Sequence, residues 1–243
     1  MPISVDRVYQ KVLAIANKEQ RGYVTPQEFN LFADLAQTEI FEQYFYDLNQ
    51  FQRLHGNNTV YADVDDMLIE KLQIFEESDG PAAISGYTGA GGGGINKVLP
   101  DYIYRVHRVE YNNRKCEILN TRDFNDVRDG GPLTKPSDLR PITNIRNNIL
   151  RVVANNNEFV TATGIFYFKR PASPKWTYIV SQQNNTPLWN PGAQDAQNFE
   201  LHDSEESELV YKILKLAGVS MVREDIMRAG QGMESAQLQQ EKQ

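Results

Sequence analysis

Between Pro26 and Leu54 an apolar stripe runs without a break. Phe29, Phe32, Ala36, Ile40, Tyr44, Leu48 and Phe51 fall at helical spacing, and no Gly or Pro follows Pro26 within it. At ~1.5 Å per residue such a helix spans roughly 40 Å. A long helix with one apolar face is not stable alone in water, so the chain must fold into something that gives it partners. Three other stretches offer them. Val5–Ala16 carries Val5, Val8, Tyr9, Val12 and Ala16 on one face. A third helix is expected from about Val64 to Phe75, capped by Asp63. A fourth is expected from about Glu205 to Arg223, capped by Asp203 or Ser204, with Leu209, Ile213, Leu216, Ala217 and Met221 inward. Gly56, Asn57 and Asn58 supply the stop signal after the long helix.

The corner before the long helix has two readings. Counted from Asn17, Gly22 and Glu28 fall at positions 6 and 12 of a calcium loop, but Arg21 occupies position 5, where an oxygen ligand is required. Helix chemistry accounts for the same letters. Thr25 is a good N-cap, Pro26 suits the first helical position, and Glu28 at N3 completes a capping box. Val24 and Phe29 then stand at the two positions of a hydrophobic staple, and Gly22 supplies the left-handed turn that ends the first helix. The expectation is a helix–turn–helix corner made by Gly22, Thr25, Pro26 and Glu28, with no metal.

The middle of the chain changes period. YIYRVHRVEY and KCEIL flank Asn112-Asn113-Arg114, and NILRVV and TGIFYFKR flank ANNNEF; both patterns predict hairpins. WTYIV is a further strand, and RDGGPLTKPSDLRPIT reads as an ordered loop. The fold class expected is α+β: a bundle of three N-terminal helices and one returning C-terminal helix, with a central antiparallel β-rich insert. The domains expected are 1–80 with 203–229 as the bundle, 81–97 as a Gly-rich connector, 98–202 as the β-rich domain and 230–243 as a polar tail or docking arm. In the connector Tyr87, and in the arm Leu238, are the apolar residues suited to anchor on neighbouring subunits.

Several function classes find no support. Gly89, Gly91 and Gly94 spell a dinucleotide fingerprint, but Pro100 and a strand-like segment follow where a helix is required. His55, His107 and His202 have no metal-ligand spacing, and no nucleophile elbow is present. Cys116 is the single cysteine, which excludes an internal disulfide and fits a reducing compartment. No segment has the length and hydropathy of a membrane span, and the N-terminus lacks the apolar core of a signal peptide. Neither an enzyme nor a cofactor is expected.

Charge is unevenly placed. Residues 97–175 hold 14 Lys+Arg and 8 Asp+Glu, a net of +6; the remainder holds 11 and 24, a net of −13. Such asymmetry suits head-to-tail contact between copies, or nucleic acid. Arg105, Arg108, Arg114, Lys115 and Arg122 lie near Tyr102, Tyr104 and Tyr111, a pattern that can hold single strands, although Asp101, Glu110, Glu117 and Asp123 interrupt it.

The combination of segments resembles a family. VYQKVLAIANKEQRGYVTPQEFNLFADLAQTEIFEQYF, LPDYIYRVHRVEY, GPLTKPSDLRPI, IFYFKRPASPKW and SELVYKILKLAGV are similar to tail ring, or head-to-tail connector, proteins of crAss-like short-tailed bacteriophages. The resemblance implies a structural virion protein with no enzymatic activity and no catalytic residues to carry over. It implies a ring of copies, typically a dodecamer, that meets the portal protein or other tail ring proteins and lets packaged DNA pass without sequence-specific contact. Such a subunit is made in the host cytoplasm and works at the tail or portal vertex of the virion. Two other classes stay open on the residues alone: a single-stranded nucleic-acid-binding protein using the basic β-rich segment, and a hydrolase with a dispersed site.

Overall fold

The computed structural model describes residues 3–16, 24–53, 59–87, 89, 95–131, 133–154, 158–181, 186–220, 231–233 and 235. The fold is α+β. The chain divides into two compact units, Met1–Ile74 with Pro171–Gln243, and Phe75–Arg170.

The first unit holds α1 (Val5–Ala16), α2 (Pro26–Arg53), α3 (Thr59–Gln73) and α6 (Glu206–Ser220). Helix α6 packs on α1 and α2, and α2 also packs on α3. The stripe of α2 is wider than one residue per turn: Phe29, Ala33, Ala36, Ile40, Phe41, Tyr44 and Phe45 are all buried, as are Val8, Val12, Leu209, Ile213 and Ala217 of the other helices. Phe32, Leu48 and Leu216 are only half-buried. Helix α3 starts at Thr59, before Val64, so Asp63 lies within the helix rather than capping it. Before α6 a 3-10 turn covers Asp203–Glu205, and its cap is His202, whose ring accepts from the Ser204 N–H at 3.3 Å; neither Asp203 nor Ser204 has that role. Met221 lies outside the described residues.

The corner before α2 is a complete capping box. The Glu28 N–H donates to Thr25 Oγ1 at 3.3 Å, while Glu28 Oε2 accepts from the Thr25 N–H at 3.0 Å and from its hydroxyl at 2.7 Å. Val24 and Phe29 are both fully buried, as a staple requires. Gly22 and Asn17 lie outside the described residues.

Buried charges link the helices. Glu205, 1% exposed, pairs with Lys71 of α3 at 2.6 Å. Lys212, 2% exposed, reaches Glu39 of α2 at 3.2 Å and Glu208 at 3.5 Å. Such pairs add little net stability, but either partner left alone would be strongly destabilising.

Residues 171–202, expected in the β-rich domain, belong instead to the helical unit. Polar side chains of α2 hold them. Asn30 accepts from Trp176 N–H at 2.8 Å and donates to Trp176 C=O at 3.2 Å, the two-bond pattern of a strand neighbour. Two turns on, Gln37 is fully buried; it donates to Ala172 C=O at 2.8 Å and accepts from Glu200 N–H at 3.1 Å. Glu200 Oε2 closes the circuit by accepting from Ala172 N–H at 2.9 Å. The returning chain also bridges Ile3 to Phe199.

The second unit is built from two sheets that share one core. The four-stranded sheet has the order β1 (Glu76–Asp79), β9 (Gly164–Lys169), β3 (Ile103–Tyr111), β4 (Arg114–Lys115). The other runs β2 (Lys97–Val98), β7 (Ile149–Ala154), β6 (Ile142–Arg146), β5 (Glu117–Ile118), with β8 (Glu158–Val160) also on β7. Val109, Ile165 and Tyr167 from the first sheet meet Leu150 and Val152 from the second, with Ile84, Leu99, Cys116 and Ala162 closing the cluster. Helix α5 (Thr121–Arg128) lays Phe124 on Ile142 and Val153, the opposite side of the second sheet. Residues 81–97 are not merely a connector: they contain α4 (Pro81–Gly86) and the first residue of β2.

Two tight turns use the left-handed region. Asn112 and Asn113 join β3 to β4 with φ 48° and 59°, and Asn147 and Asn148 join β6 to β7 with φ 50° and 57°. Asn tolerates that conformation better than other residues with a Cβ. The chain does turn back across ANNNEF as expected, but its partner there is β8 and not the TGIFYFKR strand. Strand β7 pairs with β6 and β8, while β9 crosses to the other sheet and lies between β1 and β3.

Two measurements check these assignments. Gln37→Leu leaves a backbone C=O and an N–H without partners and is expected to cost about 2 kcal/mol or more in urea unfolding. Thr25→Ala is expected to cost about 1 kcal/mol at neutral pH, with added calcium leaving the melting transition unchanged. The hydrogen bonds from Thr25, side chain first, hold the Glu28 carboxyl below its ordinary pKa of 4.5. Its contribution is therefore present above that value and lost as pH falls through the depressed one. The gap between Thr25→Ala and the parent should narrow in strong acid to what the Glu28 N–H to Thr25 Oγ1 bond contributes.

Candidate functional site

The basic segment folds with more acid around it than its sequence window shows. Strand β1, which has no apolar period, adds Glu76, Glu77 and Asp79 to the four-stranded sheet. Phe75–Arg170 as a unit carry 13 Lys+Arg and 11 Asp+Glu, a net of only +2. Many of the basic groups are paired: Arg108 with Glu110 at 2.5 Å, Arg140 with Glu117 at 3.0 Å and Lys169 with Glu77 at 3.2 Å. Arg122 comes only within 3.9 Å of Asp126 on the exposed side of α5. Arg105, Arg114 and Lys115 are exposed and make no ion pair among the described residues.

Two bulges in β3 decide which of its side chains face outward. Register shifts between Ile103 and Arg105, and between Val106 and Arg108, turn the strand's period of two into a spacing of three for the inward residues Ile103, Val106 and Val109. Arg105 and Arg108 stand opposite Phe168 and Phe166 of β9, whose neighbours Ile165 and Tyr167 point into the core. The outer face therefore gathers Phe166, Phe168, Arg105, Arg108 and His107. The His107 ring lies 5.1 Å from Phe168 and 6.2 Å from Phe166, and its Nε2 is 3.2 Å from Glu76. The Arg108 guanidinium sits 5.5 Å from the Phe166 centroid.

Tyr87 has an internal role. It ends α4, its ring packs against the core cluster, and its hydroxyl donates to Asp79. Tyr167 donates to the same carboxylate at 3.2 Å. Burial first, then the Asp79 hydrogen bond, raises the Tyr87 pKa; burial first, then a hydrogen bond with Tyr102, raises that of Tyr167. Both remain proton donors throughout the neutral range. Leu238, the other residue expected to anchor on a neighbour, lies outside the described residues, as do His55, Gly91 and Gly94. Gly89 bridges to Lys97. His202 serves as a cap. Among the described residues no group of three or more His, Cys, Asp or Glu is placed to hold a metal ion.

An exposed apolar ribbon belongs to the helical unit, and the sequence pattern shows only half of it. Strand β10 (Tyr178–Val180) pairs with β11 (Pro187–Trp189), and neither pairs with a third strand among the described residues. An isolated two-stranded ribbon is marginal in water; this one is anchored by rings. Trp176, 2% exposed, stacks on Tyr178 and Trp189 at 5.8 and 5.7 Å and lies 4.4 Å from Tyr9, which contacts Phe29 at 4.7 Å. Its indole N–H donates to Asp6 at 2.9 Å. The other side of the ribbon pairs Ile179 with Leu188, and these are 59% and 56% exposed. On α2, Leu31, Leu35 and Tyr46 are exposed as well. Strand β11 was missed because PLW is short and begins with Pro; the alternation of WTYIV was the available signal for its partner.

No protein-family model matches the chain, and no curated protein is found similar to it. Among the described residues no helix is long and apolar enough to cross a membrane.

Cys116 is fully buried, and burial, with the Glu110 charge adding to it, pushes its thiol up to about 12. A thiol must ionise to act as a nucleophile. We therefore expect no reaction of folded protein with a disulfide reagent at mildly alkaline pH, and one equivalent released on unfolding in guanidinium.

Proposed function

We propose that this chain is a structural subunit of a bacteriophage tail ring or head-to-tail connector, acting by assembly and without catalysis. The observation that carries the reading is the anchored ribbon Tyr178–Val180 and Pro187–Trp189, with Ile179 and Leu188 turned to solvent and two strand edges unpaired among the described residues. Exposed apolar surface on open edges invites another chain. Exposed Leu31, Leu35 and Tyr46 of α2 lie on a different element, and ring formation needs two different surfaces meeting between successive copies.

In this reading α1, α2, α3 and α6 form a four-helix bundle that holds the ribbon rigid. Twelve copies close a ring that docks on the portal protein or on another tail ring protein, in a virion assembled in the bacterial host. The acidic balance of the helical unit, a net of −9 against +2 for Phe75–Arg170, suits a channel wall that repels DNA phosphates and lets the duplex slide. The resemblance of the segments 8–45 and 99–111 to tail ring proteins supports the same assignment.

Ile179→Asp with Leu188→Asp is expected to leave the melting temperature within a few degrees, because both side chains are already exposed, and to abolish incorporation into particles. Virion reconstruction and native mass measurement with candidate portal protein check this. A single copy without lateral self-contact, or a place away from the portal–tail axis, would reject the ring. A lumen lined by Lys and Arg would keep the ring and discard the repulsive wall.

A further inference from the structure

The outer face of the four-stranded sheet has the composition of a stacking platform. Phe166 and Phe168 stand two residues apart on β9, an interior strand, with the His107 ring beside both. Neither phenylalanine belongs to the two core clusters described for this unit, and both are partly accessible. Ser78, opposite Phe166 on β1, shows that a small polar residue is tolerated on this face.

We propose that this face binds single-stranded nucleic acid, with bases stacking on Phe166, Phe168 and the Arg108 guanidinium and with phosphates meeting Arg105 and Lys115. Rings at alternate positions of a strand present their faces about two residues apart, a spacing that successive unstacked bases can follow. A guanidinium plane is itself a stacking surface for a base. Arg108 lies over Phe166 and is held there by Glu110, so its plane is set before a ligand arrives. The two carboxylates of the face are engaged within the chain, Glu110 with Arg108 and Glu76 with His107. Arg105, in register with Phe168, and Lys115, in register with Glu110, are exposed without an ion pair among the described residues. The free charge of the face is therefore positive, which complements a phosphate backbone. Aromatic rings select nucleic acid over a simple polyanion, and single strands over duplex, whose bases are already stacked. The site is independent of the ring reading, and each can fail without the other.

The test uses the full chain and fluorescently labelled oligothymidylate and oligouridylate of about 20 nucleotides, read by anisotropy at about 50 and 200 mM salt. Saturable binding that weakens with salt is expected, with duplex of the same length bound at least several-fold less tightly. Phe166→Leu with Phe168→Leu keeps apolar bulk and removes the ring faces; it should weaken binding by about tenfold or more while leaving the salt slope alone. Arg105→Gln should reduce the slope by about one phosphate contact. Protection of the Cys116 thiol reports that each variant is folded. The proposal is overturned if the parent chain does not bind single strands at low salt, if duplex or polyglutamate competes equally well, or if the folded double Leu variant binds as the parent does.

Discussion

Two amide side chains on α2 tie the helical unit together across separations of 135 to 163 positions. Asn30 and Gln37 lie seven residues apart, two turns of helix, and so present the same face. Each uses both its donor and its acceptor on backbone of the segment 172–200. An apolar residue there would pack, but it would leave the returning chain's N–H and C=O groups without partners in a place where water is scarce. Those bonds fix where Trp176 sits. Trp176 in turn sets Tyr9 beneath it and the β10–β11 ribbon above it, so the ribbon's exposed face inherits its position from α2.

This dependence explains which parts of the structure could be seen in the sequence. The boundaries of α1 and α2 follow from strong periodicity and a complete cap, and the structure places both helices there. The capping box uses residues within four positions of one another, so it is legible locally. Asn30 and Gln37 gave no such signal, because an amide in a helix looks solvent-facing until the segment that it binds, over a hundred positions later, is known. The domain boundary after Arg170 was hidden for the same reason: WTYIV reads as a strand whichever unit receives it.

The β-rich unit shows a second limit. Sequence reading placed the Asn112-Asn113 turn but not the Asn147-Asn148 turn, although the same pair of residues adopts the same positive φ in both. The flanking β6 is short and partly polar, with Thr143 and Asn144 buried, and their side chains bond to the carbonyls of Arg151 and Leu119. Buried polar strand residues defeat a period-two search. Strand β1, Glu-Glu-Ser-Asp, defeats it entirely; it pairs with β9 through its backbone and brings the acid that offsets the basic window. The outer face of β3 and β9 could not be assembled from sequence either, since two bulges in β3 decide which basic side chains share a face with Phe166 and Phe168.

The second unit begins and ends at one place. Strand β1 opens it and β9 closes it, the two lie side by side, and Lys169 N–H donates to Phe75 C=O at 2.7 Å, with Arg170 N–H donating to Tyr102 C=O at 2.8 Å beyond. A module whose ends are hydrogen-bonded to each other can be inserted into a host loop without stretching it. The stretch from Phe75 to Arg170 therefore has the geometry of a cassette. Evolution can exchange it for another compact domain, or lose it for a short turn, while the helical scaffold and its ribbon keep the same chain path.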